Sequence, residues 1–290
     1  MIRCLRGGSK YAESASSTCP LEVYLPHRLG GRITVATVLE SRGPREGAEE
    51  RFFFTMACAM SAIIVAGFAV NLAMGRSTFA VPPVYHVHAF IFFGWVALYM
   101  AQNWLIASDR ADLHRRLGWL SVIWVPAMVV IGTALIVVSM RRTGGPFFFD
   151  QNEFLFSNPL LLLCFAGLVA AAVIMRRSTA WHRRFMFVGM AILTGPGFGR
   201  LLPMPLMIPH AWRIMMVVSM IFPVIGIVHD RIRHGRIHPA WIYGVVAVFA
   251  TQVIADVIAY SDWGVELTRS VLAGSPGAAR PMEAFLPPGF

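Results

Sequence analysis

Residues Tyr85–Leu117 read YHVHAFIFFGWVALYMAQNWLIASDRADLHRRL, and this stretch decides the fold. From Tyr85 to Ala107 it holds no Asp, Glu, Lys or Arg, and it turns basic only after Ser108. A helix needs about 20 such residues to cross the hydrocarbon core of a bilayer. Only helices and closed barrels satisfy their backbone there, and uniform apolarity excludes the alternation of a barrel strand. Working outward, six further runs have the same character: Phe52–Gly75, Leu117–Met140, Phe154–Met175, Phe185–Met207, Ala211–Val228 and Ala240–Tyr260. The expected fold is all-α, a polytopic bundle of seven transmembrane helices.

Composition agrees. Hydrophobic residues make up 57% of the chain and charged residues only 14%, against a soluble norm of about 45–50% and 25%. The net charge of +10 is explained by where the arginines lie. If the residues before Phe52 are cytoplasmic, the loops on that side carry Arg110, Arg115, Arg116, Arg176, Arg177, Arg183, Arg184, Arg231, Arg233 and Arg236. The opposite side carries Arg76, Arg141, Arg142, Arg200 and Arg213. The positive-inside rule then puts the N-terminus inside and the C-terminus outside, in a bacterial inner membrane. The partner implied is the lipid bilayer, whose anionic headgroups attract such loops. Nucleic acid is not implied. Four cysteines, two of them inside apolar runs, do not form a disulfide framework.

Residues 1–50 lack sustained periodicity and are rich in Gly, Ser and Arg. They read as a disordered tail or an over-extended translation start. Residues 51–263 form the transmembrane domain, and residues 264–290 read as a short irregular tail.

The histidines fall into two groups by depth. His86, His88 and His210 lie at the outer ends of runs, with Arg200, Arg213 and Asp256 at similar depth. His114, His182, His229 and His238, with Asp230, lie at the inner ends. From His88 to Ala107 the helix crosses nearly the whole membrane, so the groups share no ligand. Asp256 is an acid well inside an apolar run, and such a group wants a partner or a cavity. Arg213 or Arg200 is the expected partner. The segment Thr194-Gly195-Pro196-Gly197-Phe198-Gly199-Arg200, with Pro203 and Pro205 beyond it, must break or kink the fifth run, because proline removes a helix hydrogen bond.

Several motifs together carry a resemblance covering Arg51 to Trp263. They are Pro83-Val84-Tyr85-His86-Val87-His88, Gln102, His114-Arg115-Arg116-Leu117-Gly118-Trp119, His182-Arg183-Arg184-Phe185-Met186, and Val228-His229-Asp230 running to Gly235-Arg236-Ile237-His238-Pro239. With them the chain resembles an uncharacterised group of bacterial multi-helix membrane proteins, which implies the fold and no activity. A looser similarity, through the two His-Arg-Arg elements, is to membrane cytochromes of the b561 kind. That similarity implies haem between histidines on neighbouring helices, although here the histidines sit at helix ends beside arginines.

Three functions compete, and the paired His-Arg-Arg motif with the cytochrome similarity puts haem-binding electron transfer first, the other two being alternatives. A haem-binding electron-transfer protein would use His114 with His182, and His88 with His210 for a second haem b, with Arg115, Arg116, Arg183 and Arg184 against propionates. A metal-dependent membrane hydrolase would hold zinc through three of His114, His182, His229 and His238, with Asp230 as base or orienter. A small transporter or membrane sensor without a cofactor would line a passage with these polar groups. Both cofactor readings expect His114, His182 and His229 to converge on one inner-face site.

Overall fold

The computed structural model describes residues 44–287, and every described regular element is helical. The order is α1 (Pro44–Ala73), α2 (Pro83–Ala107), α3 (Ala111–Gly118), α4 (Ser121–Thr143), α5 (Gln151–Ile174), α6 (Thr179–Leu193), α7 (Gly195–Leu201), α8 (Ala211–Ser219), α9 (Ile221–His234), α10 (Pro239–Ala259) and α11 (Asp262–Leu272). Short 3-10 turns at Met204–Met207 and Pro276–Ala279 complete it. The disordered tail expected for residues 1–50 lies mostly outside the described residues; from Pro44 onward that stretch is already α1.

Among the described residues six helical stretches are long and apolar enough to cross a membrane: Gly47–Ala73, Pro83–Ala107, Ser121–Thr143, Gln151–Ile174, Ala211–His234 (α8 running on into α9) and Pro239–Ala259. Their outward faces carry large apolar side chains such as Ile123, Val130, Val253 and Val257. That surface suits hydrocarbon and would be costly in water. The fifth apolar run does not make one helix. Pro196 has no N–H, so the ladder is interrupted at Thr194, and Leu202 turns to extended backbone.

The broken run packs hard against α1. A Cβ on Gly67 would lie 2.5 Å from Gly197 O, and one on Gly197 would lie 2.8 Å from Ile63 O. Glycine at both positions therefore lets the two backbones touch. The core along this seam holds Phe53, Met60, Phe187, Met190 and Trp241, all buried.

Two short amphipathic helices lie at opposite ends of the bundle. Helix α3 sits at the end carrying the His-Arg-Arg loops, and α11 at the other. After residue 263, where an irregular tail is expected, the chain instead continues α11 to Leu272 and makes a 3-10 turn at Pro276–Ala279, so the expected boundary falls inside α11. Its Ser261 side chain accepts from Gly264 N and caps α11. Arg280 then donates to the carbonyls of Gly144, Gly145, Pro146 and Phe149. Gln151 N donates to Met282 O, and Phe285 N to Phe147 O. These bonds pin the α4–α5 loop from outside, a role that no hydrophobic period announces.

Candidate functional site

At the α3 end, the inner cluster expected from sequence separates into three places. His114 and His182 come together, with ring centroids 6.1 Å apart and planes at 88°. His182 Nδ1 donates to Ala172 O at 2.9 Å, which leaves its Nε2 as an acceptor. At His114 the Gln102 amide lies with its oxygen accepting from Gly118 N (2.8 Å) and its nitrogen donating to His114 Nδ1 (2.6 Å). The Gln102 backbone oxygen, 3.4 Å from the same nitrogen, is the weaker contact. With the Gln102 amide donating to Nδ1, His114 carries its proton on Nε2. Burial, and then the neighbouring His182, hold its imidazole below the ordinary histidine range, so it is neutral near pH 7.

His229 is elsewhere. Its ring stacks on Phe52 at 3.8 Å, and its Nδ1 is buried without a hydrogen-bond partner. His238 caps α10 by accepting from Ala240 N and lies edge-on to Trp181. Burial, and then Arg184, lower its pKa. The expected convergence of three histidines is thus not formed: two meet and the third packs on an aromatic ring. Among the described residues no three His, Cys, Asp or Glu side chains group closely enough to hold a metal ion.

Asp230 belongs to a clamp that joins four helices. Arg184 Nε donates to Asp230 Oδ2 at 2.9 Å and its Nη2 to Oδ1 at 2.6 Å. Both residues are almost fully buried, at 2% and 1% exposure. Trp241 Nε1 and His238 N also donate to Asp230. Gly226 makes room for Trp241, whose ring would lie 2.3 Å from a Cβ there. Glu49 on α1 pairs with Arg183 and reaches Arg184 at 3.6 Å. Arg184 is therefore committed to Asp230 and to Ala180 O, and its burial keeps it from a propionate.

The other half of the bundle contains a chamber of about 950 Å³. Its deep wall is apolar and comes from mid-helix positions such as Val96, Gly132, Leu162 and Val248. Towards the α11 end it carries Arg76, Tyr85, His88 and Arg200. At the break in the fifth run, Gly195, Pro196, Gly199 and Pro203 form one side, irregular backbone of the kind that at membrane depth lines a cavity or is buried in protein. Loop residues Phe147–Phe149, held by Arg280, close another side.

The outer residues expected to act together also separate. His88 stacks on Phe92 at 4.1 Å and lines the chamber. His210 is exposed at the N-cap of α8 and is not part of the lining. Asp256 lies 3.7 Å from Arg213, and Gln252 Nε2 donates to its Oδ1 at 2.7 Å. Arg200 does not join them. Its guanidinium lies 3.9 Å over the Phe68 ring, with one hydrogen bond to Pro196 O.

Sequence reasoning missed Gln252, which is buried and bridges Trp212 Nε1, Ser157 and Asp256. A lone amide inside the run Ala240–Tyr260 was the available signal. It also missed Glu153, buried at the start of α5 within electrostatic reach of Asp256 and Asp150. No family model matches the chain, and neither the curated proteins nor the solved structures contain a match.

Proposed function

We propose that this chain is a carrier or sensor of the bacterial inner membrane that holds a lipophilic organic molecule in the chamber between α1, α2, α4, α5 and α7. The observation that carries this reading is the chamber itself. Ligand sites are concave, mostly apolar and about 300–1,000 Å³, with a few convergent polar groups, and this one has that size and lining. The test is organic extraction and mass spectrometry of protein purified from membranes. A stoichiometric lipophilic compound, lost when Ala89 in the lining is replaced by Trp, supports the reading. Its absence from the wild type refutes it.

The topology that goes with this reading has seven crossings, with α6 and α7 together as the fifth, the N-terminus inside and the C-terminus outside. The arginine asymmetry supports it. Reporter fusions at Ser178 and Gly145 should fall in opposite compartments, and the same compartment for both would reject it.

A second reading, haem between His114 and His182, has one observation in its favour. Their ring separation of 6.1 Å is about that of two imidazoles sharing one metal, given metal–nitrogen bonds near 2 Å. His182 already presents a free Nε2. His114 does not, so the reading requires its proton to move to Nδ1 and the Gln102 amide to turn. A reduced-minus-oxidised visible spectrum of the purified protein decides it. A haem band that disappears in His182→Ala supports this reading, and a featureless spectrum ends it.

A further inference from the structure

The chamber has a chemical polarity that selects among lipophilic molecules. Its lining includes two arginines and a histidine, and among the described residues that form it there is no Asp or Glu. Arg200 is the telling one. It lies against the Phe68 face, bonds only to Pro196 O, and forms no ion pair with any described carboxylate. Of the acids near in depth, Asp256 is engaged with Gln252 and Arg213 and Asp150 with Tyr260 and Ala284 N, while Glu153 is buried at the start of α5 and does not line the chamber. A guanidinium has five donors and is always charged. At membrane depth such a charge pairs or lines a cavity, and at the α3 end Arg184 has the carboxylate that Arg200 lacks. The charged and imidazole side chains, Arg76, Arg200 and His88, come from the α11 end of their runs, whereas Val96, Gly132, Leu162 and Val248 come from mid-helix.

We infer that the chamber takes a single-chain amphipathic anion, whose carboxylate or phosphate head sits at Arg200 beside His88 and whose chain lies along the apolar wall. This rests on the chamber being a ligand site and adds the charge of the ligand to it. The Arg200 fork matches the oxygens of either head, and His88 is the second donor at the same end. Phe92, stacked on His88, keeps that ring turned along the wall.

The test uses the full chain in nanodiscs of phosphatidylcholine, with empty discs to subtract partitioning. The probe is cis-parinaric acid, read by its fluorescence, beside its neutral methyl ester. A charge-assisted hydrogen bond contributes about 1.5–3 kcal/mol, so the acid should bind about tenfold or more tightly than the ester. Arg200→Gln should bring the acid down to the affinity of the ester. Arg213→Gln, outside the chamber, should leave it unchanged. Laurate and dodecyl phosphate then compete for the wild type, and the better displacer names the head. Equal binding of acid and ester, unaffected by Arg200→Gln, overturns the inference while leaving a lipophilic site. Failure of both probes to bind saturably overturns the site as well.

Discussion

The two ends of the bundle treat their arginines in opposite ways. At the α3 end, Arg184 is buried and bidentate on Asp230, with Trp241 and His238 completing the carboxylate's shell. In the chamber, Arg200 faces an aromatic ring and has no carboxylate. A buried, mutually paired arginine and aspartate are turned to each other and away from any ligand, so the first arrangement is a structural clamp. An arginine without a carboxylate in the lining of an apolar chamber is what the proposed ligand site rests on. The same residue type at membrane depth is thus structural or functional according to what completes its hydrogen bonds.

The largest effect should come from breaking the clamp. Arg184→Ala strands Asp230 in the interior, and removal of one partner from a buried pair costs about 3–5 kcal/mol. Thermal unfolding in detergent should show a collapse in stability or in yield of folded protein. A variant that melts like the wild type would show that the pair contributes little. Next comes the seam between α1 and α7. Gly67→Ala places a Cβ against Gly197 O, and overpacking of this kind costs about 1–3 kcal/mol. The same melt measures it, and a neutral result would mean the helices separate without cost.

The smallest effect is in pH. The folded chain holds His114 below the ordinary histidine pKa of about 6.5. The unfolded chain therefore binds more protons as pH falls through that value, and stability falls with it. His114→Gln should flatten the decline in melting temperature from pH 7.5 downwards. An unchanged slope would place the acid sensitivity elsewhere.

Much of this contrast was hidden from the sequence, for physical reasons. The apolar runs were legible because a bilayer demands about 20 consecutive apolar residues. The break near Pro196 was legible because proline lacks a donor. Sequence also gives depth along a helix, which brought Asp256 and Arg213 into register. It does not give direction around the bundle, so Arg200, at similar depth, read as an equal candidate for Asp256 and instead faces the chamber. Arg184 was one of ten arginines at inner helix ends, and nothing local separates it from those that reach towards headgroups. Its partner Asp230 is 46 residues away. Helix α11 was missed because it is amphipathic and lies beyond the last apolar run. The chamber is a property of packing, and no residue pattern spells an empty space.

The most direct test of the account is the melting temperature of wild type and Arg200→Gln, each with laurate and with methyl laurate. Without ligand the two proteins should melt nearly alike, because the loss of a ring contact of about 0.5–1 kcal/mol and of the hydrogen bond to Pro196 O is offset by relief of an uncompensated charge. Laurate should raise the wild-type melting temperature and leave Arg200→Gln unmoved, and methyl laurate should do little to either. An equal laurate shift in both proteins, or a wild type that laurate does not stabilise, would contradict the account.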